Sequence, residues 1–246
     1  MFLYCTYCTY TLLTTERFDM NQATLVGSSK SLNEIETGSS LLDQIAHYAR
    51  VSNPTSTHNS LKNDKLIQYL INHRHWSPFE MVDCCLDIIT TRSISRQLIR
   101  HRSFSFQEFS QRYAATETGG TDWVDTRLQD TTNRQSSIPT TDIELRSWWE
   151  GSQKKVNDLV FSIYDTGLKK GIAKELMRSV LPEGMTRTRL YMKGSIRSWI
   201  HYIDLRTDPS TQAEHRDLAR MCAVEISKVM PYITEFVQPE KTNQQP

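Results

Sequence analysis

EMVDCCLDIITT (80–91) runs directly into RSISRQLIRHRSFSFQEFSQRY (92–113), and the change of pattern between them decides how this chain is read. In the first stretch Val82, Cys84, Leu86 and Ile88 alternate with Asp83 and Asp87, the two-residue period of a strand with one face buried. In the second, the pattern predicts a short helix over 92–99, which puts Arg92, Arg96 and Arg100 on one stripe at i, i+4 and i+8. Five arginines and a histidine stand there against one carboxylate, Glu108, and no acid within the stripe offers the usual i,i+4 pair. Guanidinium is a permanently charged planar fork, so the cluster is suited to phosphate. An exposed basic face is the plainer reading of the stripe alone.

Outward from this centre, Leu41, Leu42, Ile45, Tyr48 and Ala49 keep helical spacing. A second helix is expected after Ser60 as N-cap, burying Leu66, Ile67, Leu70 and Ile71. Residues 117–141 read as an exposed excursion, 142–169 as a long helix broken at Gly171, and a further helix ends before Leu181-Pro182. TRTRLYM (186–192) alternates as a strand. GSIRSWIHYIDLR (194–206) is helical, with Ile196, Trp199, Ile200 and Ile203 inward and Arg197, His201 and Leu205 along the opposite edge. Asp208-Pro209 is expected to open the last helix. Helices and strands mix without βαβ alternation, which predicts an α+β fold: a mixed sheet with packed helices in a single domain. We expect residues 1–35 to be an N-terminal extension, 36–236 the single folded domain, and 237–246 a frayed tail.

The chain has 246 residues, a formal net charge of +1, 38% hydrophobic and 23% charged residues. That balance argues against a general nucleic-acid or membrane-surface binder. No apolar run is long enough for a membrane span and the N-terminus makes a poor signal peptide, so a cytoplasmic location is expected. Five cysteines lack a disulfide framework; Cys5-x2-Cys8 and His73-x-His75 are half-sites without partners, so no metal is expected. With nine glycines and neither G-x-G-x-x-G nor G-x-x-x-x-G-K-[ST], Rossmann and P-loop phosphate binding are excluded. Ser105-x-x-Glu108 reads as a capping turn opening a short helix. Ser110 has no identifiable base beside it and is read as a ligand contact, not a nucleophile. Trp148 and Trp149 are expected in the core or at a subunit interface.

Arg100-His101-Arg102, seven residues and then Ser110 resembles the signature of the flavin-dependent thymidylate synthases. His75-Trp76-Ser77-Pro78-Phe79-Glu80, Ala49-Arg50-Val51-Ser52, Arg178–Pro182 and Gly194–Arg206 are similar to further blocks of that family, in the same order. The resemblance implies an enzyme that converts dUMP to dTMP by reductive methylation. FAD is its cofactor, methylenetetrahydrofolate the carbon donor and NADPH the reductant. It also implies a homotetramer with active sites shared between subunits. By position, Gln97, Arg100, Glu108, Ser110, Gln111, Arg112 and Arg178 would hold dUMP. Ser77, Arg100, His101, Arg102, Glu108, Ser195, Arg197 and His201 would surround FAD. His75 and Glu80 would face the folate and NADPH side. Arg206 would be the catalytic residue, stabilising negative charge on the uracil. The competing reading is a non-catalytic phospho-ligand or RNA-binding module built on the arginine stripe alone.

Overall fold

The alternation of residues 80–91 becomes strand β2 (Asp83–Thr91), with Cys84, Leu86 and Ile88 fully buried and Asp83, Cys85 and Asp87 half-buried on the other face. The structure, a computed structural model, describes residues 20–52, 63–116 and 123–240. β2 sits in an antiparallel four-stranded sheet of order β1-β2-β6-β3, with β1 (Gln22–Ser28), β3 (Ser105–Glu108) and β6 (Arg187–Ser195). Leu86 lies opposite Met192 and Ile88 opposite Leu190, so the apolar rows of both central strands share one face. A one-residue slip would turn that row into water, which is what holds the register.

Helices cover this face. α2 (Leu41–Arg50), α3 (Asn63–Asn72), α7 (Ile196–Arg206) and α8 (Ala213–Ser227) bring Ile45, Ile67, Trp199, Ile203, Leu218 and Ile226 into one core with the strands. The inward stripe of α7 is as expected, and the Trp199 indole N–H donates to the Cys84 carbonyl at 3.1 Å, so its polar end is satisfied inside the core. The open face of the sheet is polar: Arg189 forks onto Asp87 at 2.9 and 3.1 Å, and Lys193 reaches Asp83 at 3.2 Å.

The other elements are α1 (Glu34–Thr37), α4 (Arg92–Leu98), a two-stranded sheet of β4 (Arg127–Gln129) and β5 (Ser137–Pro139), α5 (Ile143–Lys169) and α6 (Lys174–Met177). α5 is about 40 Å long and is capped by Asp142, whose carboxylate accepts from the Leu145 amide at 2.9 Å. It ends in a Schellman turn with Gly171 at φ 84°.

Several expectations need correction. Ser105-x-x-Glu108 is strand β3, not a helix start, because its backbone pairs with Lys193–Leu190 of β6 and Phe106 packs against the core. Asp208 does not open a helix: its carboxylate accepts from the Ser210 amide at 2.7 Å, a local turn, and α8 starts at Ala213 with Gln212 as N-cap. The excursion at 117–141 carries β4 and β5 within its described part. Residues 22–28, assigned to an extension, form β1 and pair along β2, so the folded body begins earlier than expected. At the other end the Gln238 amide donates to Thr207 Oγ1 at 2.8 Å, so the chain beyond residue 236 is still attached to α7. Ser60, Cys5 and Cys8 lie outside the described residues.

Candidate active site

Arg92 and Arg96 share one face of α4 as the sequence implies, but the helix ends at Leu98, so Arg100 falls in the turn beyond it, and the two helical arginines are not free. Thr91 caps α4 by accepting from the Ile94 amide, and the helix faces β3 and the loop before β6. Glu108, at the end of β3, accepts from Ser95 Oγ at 2.7 Å and Thr188 Oγ1 at 3.0 Å and sits 3.6 Å from Arg92 and 3.9 Å from Arg96. Arg96 also meets Glu183 at 3.4 Å. Burial disfavours the charge of Arg92 and Glu108 supports it. The expectation of an unpaired stripe is therefore overturned: the partners come from distant segments that spacing along one helix cannot reveal. Arg100 and Arg102 are exposed and have no carboxylate partner among the described residues.

The chain leaves α4 through a turn over His101–Phe104, closed by the Phe104 amide donating to the His101 carbonyl at 3.2 Å. Phe104 packs closely on β6 because residue 194 is glycine; a Cβ there would lie 2.4 Å from the ring. The turn aims His101 at α7, where its Nε2 accepts from Arg206 Nε at 2.9 Å. Burial, then the Arg206 charge, pushes His101 down to about 4, so it stays neutral and can accept that bond. The guanidinium is thereby fixed through its inner nitrogen, and its terminal nitrogens have no partner among the described residues.

Behind this pair lies a second histidine that no sequence pattern singles out. His215 on α8 is fully buried, and its Nδ1–H donates to Gln97 Oε1 at 3.1 Å. Gln97 Nε2 donates to Gln212 (2.8 Å), and Gln212 Nε2 to Glu214 (2.9 Å), which also pairs with Arg127 of β4. Burial, then the Arg206 charge, pushes His215 down to about 3. A lone histidine in a helical pattern carries no signal of this role.

Two clefts open on the exposed edge of α7, and Asp204 lines both. One, of about 720 Å³, is lined by Arg74, Trp76, Glu80, Arg197, His201 and Phe236, among others. The other, of about 690 Å³, holds Gln97, Leu205, Arg206 and Gln212. In the first cleft Arg197 meets Glu80 at 2.8 Å, and Ser195, which caps α7, donates to the same carboxylate. Ser77 and Glu80 share one 3₁₀ turn, Ser77–Glu80, and His75 is exposed just before it.

The remaining candidates lie elsewhere. Ser110 opens a turn that accepts the amides of Tyr113 and Ala114. Gln111 is buried and donates to Thr116 at 3.1 Å, so its side chain serves the interior of this chain. Arg112 is 3.5 Å from Glu175 and lines a separate cavity of about 500 Å³ against the end of α5. Arg178 is exposed in the 3₁₀ turn Arg178–Val180, near Arg92. Gln97, His101 and Arg206 are thus brought together, as are Ser195, Arg197, His201 and Glu80, while Ser110, Arg112 and Arg178 line neither cleft. Burial pushes the Cys84 thiol up to about 12 and raises Cys222 too, so neither is a thiolate. Among the described residues no helix is long and apolar enough to cross a membrane.

Residues 37–232 match the family model described as thymidylate synthase complementing protein. The chain is 50% identical over 176 residues to a flavin-dependent thymidylate synthase of Synechocystis, covering 71% of this chain and 79% of the relative. It is 46% identical over 192 residues to a probable flavin-dependent thymidylate synthase of Paramecium bursaria Chlorella virus 1, covering 78% and 88%. The crystal structure of a UMP/dUMP methylase, PolB from Streptomyces cacaoi bound with 5-Br UMP, superposes with a TM-score of 0.72 at 26% identity, covering 88% of this chain and 92% of that one. The motif around Arg100-His101-Arg102, the paired His101 and Arg206 it creates, and these likenesses together make this chain a member of the thymidylate synthase complementing protein family.

Proposed function

We propose that this chain is a flavin-dependent thymidylate synthase that converts dUMP to dTMP, with FAD as cofactor, methylenetetrahydrofolate as carbon donor and NADPH as reductant. The single observation that carries this is the fixing of Arg206 by neutral His101 in a cleft that adjoins a second one along α7. Asp204 lines both clefts, so ligands held in them would lie side by side along α7.

The first cleft suits FAD by its chemistry: Trp76, Ile200 and Phe236 give it apolar walls, and His201 and Arg197, the latter held on Glu80, give it polar groups along the α7 edge. FAD, when bound, carries reducing equivalents from NADPH to the one-carbon unit. The chain's own residues orient and stabilise. Arg206 holds permanent charge beside the uracil ring, where it stabilises the anion formed as C5 becomes nucleophilic. Its geometry is set by His101, and Gln97 is held by His215 and Gln212 at the wall of the same cleft. Glu108, half-buried among Ser95, Thr188 and two arginines, acts through the position of α4 and β3.

Ser110, Arg112 and Arg178 reach the phosphate of dUMP in a neighbouring subunit, because they lie away from Arg206 in their own. A homotetramer is supported by α5, on which Trp148, Val156, Leu159 and Ile163 are exposed along one face. Trp148, 64% exposed, belongs to that interface and not to the core. The enzyme works in the cytoplasm.

The test is direct. Purified protein should be yellow, and its flavin band should bleach on anaerobic addition of NADPH. Arg206→Ala should form no dTMP while keeping its flavin. A wild-type protein that stays colourless after reconstitution with FAD would overturn the proposal.

A further inference from the structure

Arg74 is, among the described residues, the one non-glycine with positive φ, at 56°. It occupies the left-handed position of a Schellman turn at the end of α3: the His75 amide donates to the Leu70 carbonyl (2.8 Å) and the Arg74 amide to Ile71 (3.0 Å). The end of α5 uses the same pair of bonds, Ile172 to Gly167 and Gly171 to Leu168, and there the left-handed residue is Gly171 at φ 84°. Glycine adopts this conformation without penalty, whereas a side chain with a Cβ is strained in it. At α3 the chain therefore carries a strained arginine in a turn it closes elsewhere with glycine.

The arginine's surroundings give that strain a use. Arg74 lines the 720 Å³ cleft beside Trp76 and Phe236, whose rings meet edge to face at 6.0 Å. The other charges lining this cleft are committed: Arg197 to Glu80, and Asp204 to Gln238. Arg74 has no carboxylate partner among the described residues. The backbone that carries it is held in place, because the following turn packs Phe79 into the core and the preceding His73 stacks on Tyr69 with ring centroids 4.0 Å apart. A cleft with aromatic walls and one uncommitted guanidinium at its rim suits a ligand with a flat head and an anionic tail.

We propose that Arg74 binds an oxyanion, carboxylate or phosphate, on the ligand that enters this cleft. This rests on the reading of the cleft as the flavin and folate side of the active site. Three ligands of that reading carry such a group: folate through its glutamyl carboxylates, NADPH and FAD through their phosphates. Arg74 is thus a binding residue that contributes to affinity for one of them, and its backbone strain is retained for the position of its fork.

The experiment compares wild-type protein with Arg74→Gly and Arg74→Lys. Glycine relieves the strain, so Arg74→Gly should unfold at a higher denaturant concentration than wild type; a merely structural arginine would give the opposite. The affinity for FAD and the KM values for methylenetetrahydrofolate, NADPH and dUMP are then measured on all three proteins. The expected result is a selective weakening of about fivefold or more for one anionic cleft ligand in Arg74→Gly, unchanged dUMP, and partial recovery in Arg74→Lys, which keeps charge but loses the fork. The ligand affected identifies the oxyanion. Unchanged affinity for all three cleft ligands overturns the inference about Arg74 and leaves the function intact. Uniform weakening together with lost stability overturns it equally. Wild-type protein that binds neither FAD nor the folate overturns the reading of the cleft, and the inference falls with it.

Discussion

Acid should unfold this protein through His215. The residue is fully buried, its Nδ1–H is committed to Gln97, and Arg206 and His101 lie close enough to disfavour a second positive charge. Its ordinary value of 6.5 is pushed down to about 3, so the native state holds it neutral while the unfolded chain takes up a proton. A depressed histidine contributes stability that is present above the unfolded value and lost as pH falls from 6.5 toward 3. By pH 5 the loss from His215 is about 2 kcal/mol, and by pH 4 about 3 kcal/mol. His101, held near 4, adds about 1 kcal/mol by pH 5 once its partial exposure to solvent is allowed for. Urea titrations at pH 7 and pH 5, with slopes compared to verify a common transition, measure the sum. His215→Asn supplies the control: its amide can still donate to Gln97 but cannot be protonated, so it should be less stable than wild type at pH 7 and lose about 2 kcal/mol less on acidification. A wild-type stability that changes by under about 0.5 kcal/mol between the two pH values would refute the reasoning, as would an undiminished loss in His215→Asn.

Two further outcomes follow from the packing around the site. Gly194→Ala places a methyl 2.4 Å from the Phe104 ring, so the ring and the His101 turn must move; the cost should be about 1–3 kcal/mol in a denaturation curve, with weaker FAD binding in the same protein. Unaltered stability would mean the turn is not held by that contact. Glu108→Ala removes the acceptor of Ser95 and Thr188 and leaves half-buried Arg92 without its carboxylate, which should cost about 2–4 kcal/mol, while Glu108→Gln should lose less. Equal midpoints for Ala and Gln would show that the arginines are solvated well enough not to need it.

The local part of the candidate site was legible because its spacing is set along the chain. His101 and Arg102 follow the stripe directly, and the α7 edge of Arg197 and His201 is a three-to-four-residue spacing that any helix imposes. The readings that failed did so where a local pattern had a tertiary competitor. Ser105-x-x-Glu108 has the letters of a capping box, yet its backbone amides found partners in β6 first. Asp208-Pro209 has the letters of a helix start, yet the carboxylate closed a two-residue turn on Ser210. The stripe seemed unpaired because Glu108 and Glu183 reach it from β3 and the loop before β6, where distance along the chain says nothing of distance in space.

The sequence by itself determined the alternation of β2 and β6, the inward stripe of α7 and the motif residues, because side-chain period and residue chemistry are properties of the chain. Tertiary structure alone decided which charges are spent and which remain. It paired Arg92 and Arg96 with Glu108, kept His101 neutral by burying it beside Arg206, and left Arg74 uncommitted at the rim of a cleft. Electrostatic partnership depends on desolvation and proximity, and both come into being only when the chain has folded.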